Sequence, residues 1–185
     1  MKLYQGVCKL KKMSVGRFIS IGGILTTVTV LFQSAPLFLP MLGMALSPFS
    51  TLPIAIAAVI NVSLGLTVFF SSVLILTLFS VQETLILFFT TGILGVVMGA
   101  LLYRNGLLIS ILLSSIALTF GMALLTYIIR FLAFVEFTNS YTVSLTLLIF
   151  FIFSMIYTSI WNVCFRKFMN YLMKIKKELF NQLNP

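Results

Sequence analysis

The chain is 185 residues long, 61% hydrophobic and only 8% charged, with a net charge of +9. A soluble domain carries roughly 25% charged residues, so this composition leaves too little polar surface to cover a water-soluble globule and points to an integral membrane protein. The sequence has no histidine and its only acids are glutamates, which excludes Ser-His-Asp and Cys-His catalysis, histidine-based metal sites and paired aspartates, and it holds neither a Walker A loop nor a G-x-G-x-x-G turn.

The charges sort by position. Lys2, Lys9, Lys11, Lys12 and Arg17 precede the first apolar run, and Arg166, Lys167, Lys174, Lys176 and Lys177 follow the last. Between Phe18 and Phe165 only Glu83, Arg104, Arg130 and Glu136 are charged. A spanning helix needs about 20 apolar residues, so this stretch has room for six. The expected fold is an all-α, polytopic bundle of six transmembrane helices (residues 18–164) between a basic cytoplasmic N-terminus (1–17) and a basic cytoplasmic tail (165–185). With six spans every basic residue but Arg130 falls on the cytoplasmic side, as the positive-inside rule requires of a cell-membrane protein.

In chain order, the first helix is expected over 17–35, ended by Pro36. It reads as a retained helix, since Phe32-Gln33-Ser34-Ala35-Pro36 makes a poor leader-cleavage site. Its Gly22, Gly23, Thr26 and Thr27 form a small-residue face on which another membrane subunit can dock. The segment 37–60 holds Pro40, Pro48 and Pro53 and is read as a proline-broken second span. Irregular backbone at membrane depth must be covered by protein or line a cavity, so this segment points to an internal cavity. Further helices are expected over 62–80, 83–103, 107–133 and 141–164. Gly95 and Gly99 make a G-x-x-x-G that is expected to pack inside the bundle. Arg130 lies in an apolar run toward the outer end of the fifth helix, where it needs a partner or a route to the headgroups. Gln33, Glu83, Arg130, Glu136 and Asn139 are the candidate solute-binding residues of that outer end. Tyr157 and Trp161 read as an interfacial aromatic belt. In the tail, Phe165, Phe168, Met169, Leu172, Ile175, Leu179 and Leu183 recur at three and four, the pattern of an amphipathic basic helix for a membrane surface or a partner groove. Cys8 and Cys164 both fall on the cytoplasmic side, where no disulfide is expected. The basic charge suits lipid headgroups rather than nucleic acid, and no metal or other cofactor is expected.

Two stretches, Pro36-Leu37-Phe38-Leu39-Pro40 through Leu52-Pro53-Ile54-Ala55 and Leu87 through Arg104, resemble the YybS-like family of bacterial membrane proteins. That family is similar to the substrate-binding (S) subunits of energy-coupling-factor transporters. The resemblance spans roughly residues 14–135 and implies a six-helix bundle with a pocket opening outward. It also implies a small-molecule ligand, a transmembrane coupling subunit docked on the first helix, and energy supplied by partner ATPases. Gly22/Thr26 and Gly23/Thr27 stand where that family's S subunits use alanines, and the missing histidines exclude their nickel and cobalt sites. Set against this is a non-transport assembly or regulatory protein that recruits partners through its small-residue faces and basic tail. A membrane enzyme is disfavoured, because three glutamates leave little acid–base machinery.

Overall fold

The computed structural model of the chain describes residues 14–101, 106–133 and 140–183. Helix is the only regular structure among them, as lipid requires, because a helix satisfies its backbone polar groups within its own segment.

Helix α1 (Val15–Phe38) takes Pro36 inside its last turn instead of ending there. Proline has no amide donor, so Phe32 O goes without its i+4 partner in this last turn. The break falls at Leu39 (φ −133°, ψ 83°), whose N–H still reaches Ala35 O at 2.9 Å. Pro40 then opens α2 (Pro40–Leu46), at a position that needs no amide proton. The chain turns back so sharply that a Cβ on Gly43 would collide with the backbone of Ala35 and Pro36. After α2 come a 3-10 turn (Ser47–Ser50) and α3 (Thr51–Ile60), which together make one passage broken at Pro48, as the prolines predict.

Asn61 alone connects α3 to α4 (Val62–Thr77), and its side chain caps α4 by accepting from Ser63 N at 3.0 Å. Gly65 allows this hairpin, since a Cβ there would come within 2.6 Å of Ala58 Cβ. Helix α4 ends three residues short of the expected 80, because Ser80 is the cap of α5 (Val81–Ile86) and accepts from Glu83 N at 3.3 Å. A π-helical turn (Leu87–Thr91) then leads into α6 (Gly92–Leu101). Helix α7 (Leu107–Ala133) has the expected bounds. Helix α8 (Ser140–Leu183) corrects the expectation of a separate tail: its 44 residues run without a break through positions 164 and 165.

The helix directions follow from which residues meet. Ser110 and Ser115 of α7 bond Asn162 and Ser154 of α8, an antiparallel register. Gly95 faces Thr51 and Ile54 while Gly99 faces Ala55 and Ala58, so α3 and α6 run parallel. Phe49 meets Trp161, and Ala55 packs with Phe165, so α8 is parallel to α3. The passages therefore alternate. The end where α1 starts and α8 finishes is called basal below, and the other end distal.

Helices α3 and α6 form the centre. Ile54, Ala55, Ala57, Leu94 and Met98 are wholly buried there. The G-x-x-x-G packs within the molecule as expected, with a Cβ on Gly99 placed 2.5 Å from Ala55 O. The periphery is apolar: Leu31, Phe38, Met41, Leu74, Phe120 and Ile160 are exposed while Thr29, Gln33, Ser110 and Asn162 are buried. Five passages, Val15–Phe38, Pro40–Ile60, Val81–Leu101, Leu107–Tyr127 and Leu145–Tyr171, are long and apolar enough to cross a membrane. This fits an all-α, multi-pass membrane protein. The sixth apolar helix, α4, has 16 residues, a rise of about 24 Å against about 30 Å of hydrocarbon.

Candidate functional site

The two central passages are both irregular at the same level. The 3-10 turn precedes α3 and the π-helical turn precedes α6. Each supplies a hydroxyl, Ser50 and Thr91, and both donate to Gln33 Oε1 of α1, at 2.8 and 3.3 Å. Gln33 Nε2 in turn donates to Glu83 Oε2 at 2.9 Å. Gln33 and Ser50 are fully buried, and Glu83 and Thr91 are 8% exposed. One amide thus joins α1 to both broken passages and to the carboxylate at the start of α5.

Local chemistry accounts for each position. Gln33 lies fewer than two turns before the α1 break, and while its neighbour Ser34 spends its hydroxyl on Leu31 O, the longer Gln33 amide, with both a donor and an acceptor, reaches other segments. Ser80-Val81-Gln82-Glu83 has the sequence of a capping box, in which the glutamate usually folds back on the cap residue's own amide. Here Ser80 caps the helix, but the Glu83 carboxylate goes to Gln33. The π turn wraps Thr90 and Thr91 to adjacent positions on the inner side of their passage, and such turns recur at functional sites.

Beside Thr91 lies a half-open pocket of about 180 Å³, lined by Thr90, Thr91, Leu94, Leu118, Met122, Phe153 and Tyr157, with Phe153 itself exposed. Thr91 belongs to both the cluster and the pocket and forms the wall between them. For scale, an engineered apolar cavity of about 150 Å³ holds one benzene. The lining is almost wholly carbon, because Thr90 commits its hydroxyl to Ile86 O. Tyr157 Oη accepts from Trp161 Nε1 at 2.6 Å, and its ring stacks on Phe153 at 5.9 Å. Gly121 sets how near two of its walls come: a Cβ there would collide with Phe89 O of the π turn, so only glycine lets α7 pack this closely.

Of the residues expected to bind solute, the structure brings together Gln33 and Glu83. Arg130 is in the distal half of α7, and its side chain, like Glu136 and Asn139, lies outside the described residues. The cavity is lined by α6, α7, α8 and the π turn rather than by residues 36–53. Sequence reasoning misses Ser50, Thr90, Thr91 and Tyr157 as site residues, although a hydroxyl in an apolar run is a readable signal for the first three. Trp161, expected with Tyr157 at the interface, also packs inward, edge-on to Phe49 at 5.6 Å and against the Ala55, Met98 and Phe165 cluster.

The small-residue face of α1 divides. Gly22 and Thr26 are buried, with Leu64 of α4 next to Gly22, so the bundle itself occupies that half. Gly23 and Thr27 are exposed, and a Cβ on Gly23 would meet nothing within 4 Å. No group of three metal-ligating side chains occurs among the described residues.

Compared with known proteins, the chain matches no family model, no curated sequence and no solved structure.

Proposed function

We propose that the chain is the substrate-binding membrane subunit of a transport complex, similar to the S subunits of energy-coupling-factor transporters. In this reading it crosses the cell membrane six times with both termini in the cytoplasm, so the basal end faces inward. The solute enters from the distal side, and partner ATPases supply the energy. The observation that carries the reading is the convergence of two interrupted central passages on Gln33, with a cavity directly behind Thr91. In transporters, interrupted helices at membrane depth are where substrate and coupling ions bind, and irregular backbone there persists only if covered or lining a cavity. The exposed Gly23/Thr27 half of α1 is the docking face left for a coupling subunit.

The test has two parts. Small solutes are screened for thermal stabilisation of the detergent-purified chain, and membrane partners are identified by mass spectrometry of gently purified complexes. A stabilising solute should lose its effect in Thr91→Val. Gly23→Leu should abolish co-purification of the partner without changing the melting temperature. A chain that copurifies with non-transport partners alone and answers to no solute is an assembly protein instead. For topology, single cysteines at positions 2 and 184 of a cysteine-free variant should resist impermeant reagents in intact cells.

A further inference from the structure

Arg166 sits on α8 one residue after Phe165, which is wholly buried against Ala55 and Met98. It therefore lies within about two turns of the basal end of α3. Two of its guanidinium nitrogens, Nε and Nη2, are buried and have no hydrogen-bond partner. A guanidinium has five donors and no acceptor, and buried donors in a native structure almost always have partners. The two orphans are also the pair that forms the side-on fork, the geometry that grips a carboxylate or phosphate through two parallel bonds.

Among the described residues no group fills that fork. The chain's acids are Glu83, Glu136 and Glu178. Glu83 is at the distal end, bonded to Gln33. Glu178 is twelve residues further along the same helix, about 18 Å along the axis. Glu136 follows α7 by three residues, a reach of about 10 Å. Arg166 is level with the opposite end of that helix, one turn beyond the Ser110–Asn162 bond. No described carboxylate of the chain reaches Arg166, which leaves room for a counter-charge from outside.

We propose that Arg166 holds the phosphate of an anionic phospholipid headgroup at the basal edge of the bundle, with the exposed Lys167 beside it. Depth favours lipid over a protein partner. Arg166 lies inside the apolar stretch Leu145–Tyr171, near where that stretch leaves the hydrocarbon, and an arginine there snorkels to headgroup level. Basic pockets between helices at this level bind such headgroups. Part of Arg166 remains exposed; because Nε and Nη2 are themselves covered by protein, the guanidinium must turn outward to meet the headgroup. The site does not depend on the solute reading.

The experiment is native mass spectrometry of the full chain, titrated with phosphatidylglycerol, phosphatidylcholine or inorganic phosphate. The wild type should bind one phosphatidylglycerol in preference to phosphatidylcholine. Arg166→Gln should weaken that binding about tenfold or more. Arg166→Lys, which keeps the charge without the fork, should fall between, and Lys174→Gln should match the wild type. If Arg166→Gln does not fold, the ordering of wild type, Arg166→Lys and Lys174→Gln decides. Equal phosphatidylglycerol binding by wild type and Arg166 variants overturns the proposal. So does saturation by inorganic phosphate at the lipid's own concentration, which makes the site one for a free anion. Loss of a copurifying protein from Arg166→Gln, with lipid binding unchanged, overturns it in favour of a protein carboxylate.

Discussion

Two polar regions are buried in this apolar bundle, and they are built differently. Along the α7–α8 seam, Ser110 Oγ donates to Asn162 Oδ1 at 2.9 Å and Ser154 Oγ to Ser115 O at 2.7 Å, while Thr158 and Asn162 return bonds to carbonyls one turn earlier in α8. These groups repeat at helical spacing on two unbroken helices, carry no charge, and lie one turn apart like a zipper. Around Gln33 there is no such repeat. An amide, a carboxylate and two hydroxyls from four separate segments meet where the helices are irregular. Small hydroxyls between regular helices act as packing glue in lipid. A convergent cluster that includes a charge-bearing group beside a cavity is the form of a binding site.

The largest effect expected from this contrast is at Gln33. Gln33→Leu leaves Glu83, Ser50 and Thr91 with buried polar atoms and no partner, a loss of about 3 kcal/mol or more. Thermal unfolding in mild detergent should show it. Gln33→Leu combined with Glu83→Leu should recover part of the loss, because removing both partners costs less than orphaning one. If the double replacement is the worse of the two, the cluster contributes net stability and is not held at a cost for binding. Gly121→Val comes next. Its side chain must push α7 off Phe89 O, at about 1–3 kcal/mol of overpacking, and the Thr91-side cavity should change with it. Loss of solute stabilisation at a smaller stability cost than Gln33→Leu would separate enclosure from polar recognition.

Much of this contrast was hidden in the sequence for identifiable reasons. Six apolar segments, the irregular passage after Pro36 and the internal packing of Gly95 and Gly99 were readable, because composition, proline and glycine act locally. The π turn at Leu87–Thr91 was not, since its residues, Leu-Phe-Phe-Thr-Thr, suit an ordinary helix equally well and only tertiary contact decides the register. Gln33 and Glu83 stand out in the sequence by polarity alone. That they bond each other across 50 positions depends on how α1 and α5 are brought together, which periodicity does not encode. The tail is helical as its two-faced pattern predicts, but not a separate element: Phe165 and Met169 face the Ala55 and Met98 cluster, so at its start the apolar stripe continues the α8 core contact.

On the seam, single deletions should be mild. Asn162→Ala removes one cross-helix bond, and such bonds in a helical membrane protein average about 0.6 kcal/mol and reach about 1.7. A shift in melting midpoint several-fold below that of Gln33→Leu is expected. A cost equal to Gln33→Leu would make the two regions energetically alike and remove the basis for treating only one as a site.

The smallest effect, and the one most sensitive to sign, is at Ser114. It is fully buried on α7 beside Ser110 and Ser115, yet its hydroxyl has no hydrogen-bond partner. Ser50 is equally buried, and its hydroxyl is committed to Gln33 at 2.8 Å. The same replacement by alanine therefore does opposite things. Ser114→Ala removes an unsatisfied buried donor and gains roughly 0.5 kcal/mol of helix propensity, so the chain should melt at the same temperature or slightly higher. Ser50→Ala withdraws a hydrogen bond from the Gln33 carbonyl in a 3-10 turn, where alanine's α-helix preference brings no gain, and should lower stability by about 1 kcal/mol. The two hydroxyls differ in whether a partner is in reach and in the backbone that carries them, and both differences push in the same direction. A destabilised Ser114→Ala would mean that the seam uses this hydroxyl after all and that its polar groups are more fully engaged than the geometry places them.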